Sequence, residues 1–153
     1  MKKSLKRAAV LAAAGIAGIQ FVPVDRTNPP GRSEIAAPDD VLSLLRRSCF
    51  DCHSHETRWP WYSKVAPVSW LVAHDVHEAR GRLNFSVWDG LSPGKRNHDL
   101  EEIWTEVSEG GMPLGKYLRL HPDARLSPGD LSLLREWTKG GEGGGTGEDR
   151  EGD

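Results

Sequence analysis

Cysteine is scarce in this chain: there are two among 153 residues, and both fall inside one pentapeptide, Cys49-Phe50-Asp51-Cys52-His53. With no second Cys-x-x-Cys and no His-x-x-x-His anywhere, the four ligands of a structural zinc centre cannot be gathered as paired clusters. Methionine is as rare, with Met112 the one besides the initiator. No stretch alternates polar and apolar residues with the period of two that a half-buried strand needs, which points away from sheet architectures. The net charge is only -2. Lys2, Lys3, Lys6 and Arg7 concentrate positive charge at the front, and the stretch from Gly140 to Asp153 is acidic, so the middle is nearly neutral and offers no nucleic-acid surface. Nucleophile elbow, phosphate loop and catalytic dyad are also missing, so enzyme activity is not supported; weak peroxidase-like activity is the one kind left open.

What remains is the pentapeptide. Two thiols three residues apart on one turn can each add to one of the two vinyl groups on an edge of a haem, and the next residue then turns its imidazole toward the iron. Cys49 and Cys52 are thus read as covalent haem attachment points and His53 as the proximal iron ligand. A redox dithiol or disulfide is the competing reading. Such a dithiol belongs at the start of a helix in a βαβ context, whereas Cys49 follows an apolar helical stretch.

A haem ligated by His53 needs a ligand on its other face, and Met112 is the candidate. It sits in Gly110-Gly111-Met112-Pro113, where glycines let the backbone approach closely and proline stiffens the loop. Imidazole with thioether is the ligand pair of many electron-carrying cytochromes, and it raises the reduction potential relative to two histidines. Gap-filling in the core is the other use of a lone methionine. Among the remaining histidines, His121 is the alternative distal ligand. His55 is too near His53 to reach the opposite face, His98 reads as surface or helix cap, and His74 and His77, with Asp75 and Glu78, read as a solvated helix face.

The rest of the chain divides by composition. Residues 1–24 carry the basic start and an apolar run from Ala8 to Val22 broken only by Gln20. That is an export pattern, and it is short beside the roughly 17 to 25 residues of a spanning helix. An N-terminal membrane anchor is preferred, with a cleaved signal peptide as the alternative; either places the domain on the periplasmic side of the inner membrane. Residues 25–38 are proline-rich and read as a linker that holds the domain off the membrane. Residues 39–139 carry four helical patterns: one from Asp39 or Asp40 with Val41, Leu42, Leu44 and Leu45; Pro67 to Gly81; Asp99 to Ser108; and a last one opened by Ser127-Pro128-Gly129-Asp130. Leu45 and Trp137 are expected to meet where the first and last pack. Residues 140–153 read as a flexible tail.

Six tryptophans in so small a domain are mostly core or haem shell, namely Trp70, Trp88, Trp104 and Trp137. Trp59 and Trp61 flank Pro60 directly after the motif and are expected to cover a haem edge, with Arg58 or Trp61 near a propionate.

The pentapeptide, the following Arg58-Trp59-Pro60-Trp61-Tyr62, Ala66-Pro67-Val68-Ser69-Trp70, Leu83-Asn84-Phe85-Ser86, Met112-Pro113-Leu114 and His121-Pro122-Asp123-Ala124 together resemble the bacterial haem-binding domain family. The resemblance runs from about residue 21 to 139, and departs at His55, where asparagine is expected. It implies an exported, all-α, small cytochrome c-like domain around one haem c. It also implies one-electron transfer with redox partner proteins in the membrane or periplasm, after attachment by the cytochrome c maturation machinery. A haem-based sensor of a small gas or peroxide, with a labile or absent distal ligand, is the alternative function.

Overall fold

The computed structural model describes residues 2–31 and 35–140. Among them there are helices and no strand, as the missing period-two alternation predicted. The expected tail, apart from Gly140, lies outside the described residues.

Helix α1 (Lys2–Ile19) holds the four cations in its first turns and has no buried residue. No helix among the described residues is long and apolar enough to cross a membrane, so the anchor is not established as a spanning one. Among the described residues, the proline-rich segment after it has neither helix nor strand, and it does not stand free. Gln20, Arg26 and Asn28 all hydrogen-bond to the domain, and Ile35 is 2% exposed in the core. A spacer holding the domain away is therefore not what forms, because the polar groups between the prolines find partners on the domain surface.

Helix α2 (Asp39–Ser48) presents Val41, Leu44, Leu45 and Ser48 on one buried face, the i, i+3, i+4, i+7 spacing of an amphipathic helix. Pro38 occupies its N-cap position, and Asp39 and Asp40 lie in the first turn, where carboxylates suit the helix dipole. Helix α3 (Phe50–His53) follows at once, then α4 (Val68–Arg82), α5 (Pro93–Ser108), α6 (Gly115–Leu118) and α7 (Pro128–Gly140). Short 3-10 turns intervene at Trp61–Lys64, Phe85–Gly90 and Pro122–Ala124.

Helix α5 begins six residues before the expected Asp99. Ser92 caps it by accepting from Lys95 N at 3.3 Å, and Pro93 fills the first position. His98 accordingly lies inside the helix, paired with Glu102 at 3.5 Å. Helix α7 starts as expected: Ser127 Oγ accepts from Asp130 N at 3.1 Å, and Asp130 Oδ2 accepts from Ser127 N at 2.8 Å. That reciprocal pair satisfies two orphan amides.

Helix α7 packs on α5 and on α2, and α3 packs on α2 and α4. Leu45 and Leu134 are fully buried, Phe85 and Trp88 nearly so, and Trp137 packs against the same core. Each such Leu contributes roughly 1.5–3 kcal/mol of apolar burial. Trp70, by contrast, is 38% exposed, so it is not the core residue expected of it.

Candidate functional site

Helix α2 hands the chain directly to the motif. Cys49 N donates to Leu45 O at 2.8 Å and closes α2, and Cys49 O then accepts from Cys52 N at 3.1 Å and His53 N at 2.9 Å. One helical turn therefore carries both thiols and the imidazole. All three line a cavity of about 270 Å³.

His53 is oriented by the chain beyond α4. Its Nδ1 lies 3.1 Å from Leu83 O. A carbonyl can only accept, so Nδ1 carries the proton and Nε2 keeps its lone pair. Burial lowers the His53 pKa despite opposing hydrogen bonds to the Leu83 and Ala79 backbone, which favours the neutral ring that a metal ligand needs. Phe85 stands edge-on at 6.4 Å from it.

The two cysteines are free. Burial, then the neighbouring Cys52, pushes the Cys49 thiol up to about 12. Burial, then Asp51, pushes Cys52 up to about 11. Catalytic dithiols have the opposite property, a thiolate stabilised near neutral pH, so this environment does not favour the redox-dithiol reading.

Met112 reaches the same cavity from the far end of α5. Gly110 adopts φ +75°, a left-handed turn that glycine makes without strain. Gly111 N and Met112 N then both donate to Glu106 O, at 2.8 and 3.1 Å, folding the loop back so that Met112 packs against the core. Leu83, Phe85, Ile103, Val107 and Leu114 supply apolar walls.

Two thiols, one imidazole with a free Nε2 and one thioether, gathered on an apolar cavity, are groups compatible with a haem. Ser48 Oγ is buried at the same wall without a partner. The residues present fit the group.

Other expected residues stand elsewhere. Arg58 is exposed and pairs with Asp51 at 3.3 Å. Trp59 donates from Nε1 to Asn28 Oδ1 at 3.3 Å, and Trp61 is 77% exposed. None of the three lines the cavity. His121 does not either: its ring stacks on Tyr117 at 4.2 Å, and its Nε2 shares a 2.7 Å hydrogen bond with the Tyr62 hydroxyl. His74 and His77 are exposed.

Arg82 and Tyr117 at the cavity wall were not anticipated. Arg82 lies on the stripe of α4 that includes Asp75, Glu78 and Ala79, all lining the cavity, and its guanidinium suits a carboxylate. That spacing was readable. Tyr117 donates to Asp51 Oδ2 at 2.9 Å, tying α6 to the middle of the motif; burial and the Asp51 charge raise its pKa.

The model of the haem-binding domain family matches residues 14–140 of the chain, a span that takes in the motif, Met112 and every helix from α2 onward. Neither the search of curated proteins nor the search of solved structures found a match.

Proposed function

This chain belongs to the haem-binding domain family, and from that premise we propose that it is a c-type one-electron carrier on the periplasmic side of the inner membrane. Haem binding follows from the family. The finer reading rests on one observation: Cys49, Cys52, His53 and Met112 line a single cavity, with His53 Nδ1 committed to Leu83 O.

In this reading Cys49 and Cys52 would hold one haem c through thioether bonds, with His53 Nε2 and Met112 Sδ as the groups that would ligate its iron. The haem when bound supplies the one-electron chemistry, and the protein tunes it through ligand identity, hydrogen bonding and dielectric. Leu83 O holds the imidazole in its tautomer and raises its basicity. The apolar walls exclude water. Met112, fixed by the Glu106 carbonyl, keeps substrates from the iron, so no enzyme activity is assigned.

The cationic start and apolar remainder of α1 suit association with the inner membrane after export. Redox partners in the membrane or periplasm give and take the electron, and the cytochrome c maturation machinery joins the thiols to the haem. Nucleic acid has no part.

The test is expression with a maturation system, acid extraction of the denatured chain, and spectra of wild type and Met112→Ala. Haem that resists extraction, a low-spin wild-type spectrum, and loss of the methionine-to-iron band in the variant are expected. A wild type already high-spin and unmoved by the substitution would eliminate Met112 as ligand and favour the sensor. Extractable haem despite competent maturation would overturn covalent attachment.

A further inference from the structure

Gln20 is the one polar interruption of the N-terminal apolar run, and its side chain is engaged with the domain. Its Oε1 accepts from Ala66 N at 2.9 Å, and its Nε2 donates to Ala66 O at 3.2 Å and to Ile16 O at 3.1 Å. Both halves of the amide are paired, so the group can sit beside an apolar phase without an unmet hydrogen bond. The two-point contact also sets where α1 leaves the domain. Arg26 adds a third point, donating to Ser63 O at 3.0 Å.

Around that attachment the surface is apolar. Phe21 is 87% exposed, Val22 49%, Trp61 77%, Val65 46% and Val68 43%. Val65 adjoins Ala66 and Val68 lies two residues beyond it, while Phe21 and Val22 follow Gln20, so these four side chains lie on the two segments that the clamp joins. Scattered exposed apolar residues need no explanation, but exposed apolar residues gathered on two segments that a hydrogen-bonded clamp holds together mark an interaction surface.

We propose that this face is seated on a lipid bilayer surface, with α1 entering the same bilayer beside it. The proposal rests on the membrane association given above and adds which side of the domain meets the lipid. Three observations select lipid as the occupant. First, the patch is continuous with α1, which has four cations at its start, an apolar remainder and no residue buried by the domain; such a segment binds anionic membrane by apolar area plus charge. Second, an exposed indole at the edge of an apolar patch has the amphipathic character that concentrates tryptophan at membrane interfaces. Third, Lys64 is exposed within the same turn and can meet anionic headgroups.

The test uses the full haem-loaded chain with vesicles of phosphatidylethanolamine and phosphatidylglycerol. Flotation reports membrane association, and hydroxyl-radical footprinting read by mass spectrometry reports the face. Trp61 oxidation should fall at least threefold on vesicles while His98 on α5 is unchanged. Gln20→Ala should still float but lose most of the Trp61 protection, because the clamp aims the face.

Failure to float would overturn the membrane association and the proposal with it. Flotation with Trp61 as reactive as in the free chain would overturn the proposal alone. Trp61 protected without vesicles, together with a dimer in light scattering, would assign the face to a second copy and overturn it equally.

Discussion

Arg80 offers a severe check on how the motif is supported, because it holds the loop after the haem turn without lining the cavity. Its Nε donates to Ser54 O at 2.8 Å, its Nη1 to Thr27 O at 2.9 Å, and its Nη2 to Asn28 Oδ1 at 2.8 Å and Thr57 Oγ1 at 2.9 Å. The residue that follows His53 is thereby tied to the proline-rich N-terminal segment through one guanidinium. Ser54 is 0% exposed and Thr57 6%. In Arg80→Ala those two acceptors lose a charged donor in a place water reaches poorly, whereas water replaces the donor at the exposed Thr27 and Asn28. At roughly 1.5–3 kcal/mol for a bond to a charged group, two such losses with partial relaxation come to about 3 kcal/mol. That is a large fraction of the roughly 5–15 kcal/mol of a typical domain. Arg80→Lys should recover less than half, because one ammonium cannot span four acceptors laid out for a planar fork. Urea denaturation of the three haem-loaded proteins measures this. Haem content should be unchanged, since the Cys49 carbonyl and Leu83 O hold the turn and His53 independently. An Arg80→Ala protein within about 0.5 kcal/mol of wild type, where exposed polar substitutions normally fall, would refute the assigned role, and full rescue by lysine would refute the argument from fork geometry.

Asp130 should govern part of the acid sensitivity. Burial raises its pKa, but the Ser127 hydrogen bonds and Arg47 at 2.9 Å outweigh that and leave it below the ordinary 3.8. A carboxylate depressed on folding contributes stability that is complete above its unfolded pKa and is lost as the pH falls through the folded one. The stability gap between wild type and Asp130→Asn, followed by urea at several pH values, should therefore be full at pH 7 and close below about pH 4; a gap independent of pH would be contrary. Ser127→Ala should cost about 1 kcal/mol through the lost cap. In the chain before haem attachment, Cys52 should react sluggishly with iodoacetamide. With its pKa near 11, the thiolate fraction at pH 8 is about one in a thousand, against about a quarter for an ordinary cysteine. Alkylation at least tenfold slower than that of a model thiol, accelerating as pH rises, is expected, and equal rates at pH 8 would contradict the raised thiol pKa.

How far the sequence could be read depended on whether a feature is local. The haem turn is: three residues of spacing place Cys49 and Cys52 one turn apart whatever surrounds them. The glycines before Met112 signal a close backbone approach, and the left-handed Gly110 with the paired amides on Glu106 O is the local form it takes, bringing Met112 to the cavity. The start of α7 was legible from Ser127-Pro128, and the same Ser-Pro signal at Ser92-Pro93 also opens α5. The apolar periodicity of α5 begins only at Leu100, which hides from a periodicity argument a first turn whose side chains are polar. The linker shows the limit more sharply. Its prolines account for the lack of helix there, but whether such a chain is free or docked is decided by Arg80, some fifty residues onward, and by a glutamine within an apolar run.

Proximity in sequence misled most at Arg58, Trp59 and Trp61. They follow the motif closely, yet Asp51 holds Arg58 and Asn28 takes the Trp59 indole, and none of the three lines the cavity. The cavity is completed instead by residues whose roles exist only in three dimensions. Arg82 belongs to it because α4 runs past α3, and Tyr117 because its hydroxyl meets Asp51. The partner that settles the His53 tautomer is a main-chain carbonyl, at Leu83. Every residue has such a carbonyl, so no side chain could have identified it. What places it is the end of α4, where the chain turns extended at Leu83 and its backbone oxygen is left without a helical donor. The imidazole supplies that missing donor, so the same helix terminus that would otherwise need a cap selects which nitrogen of His53 faces the cavity.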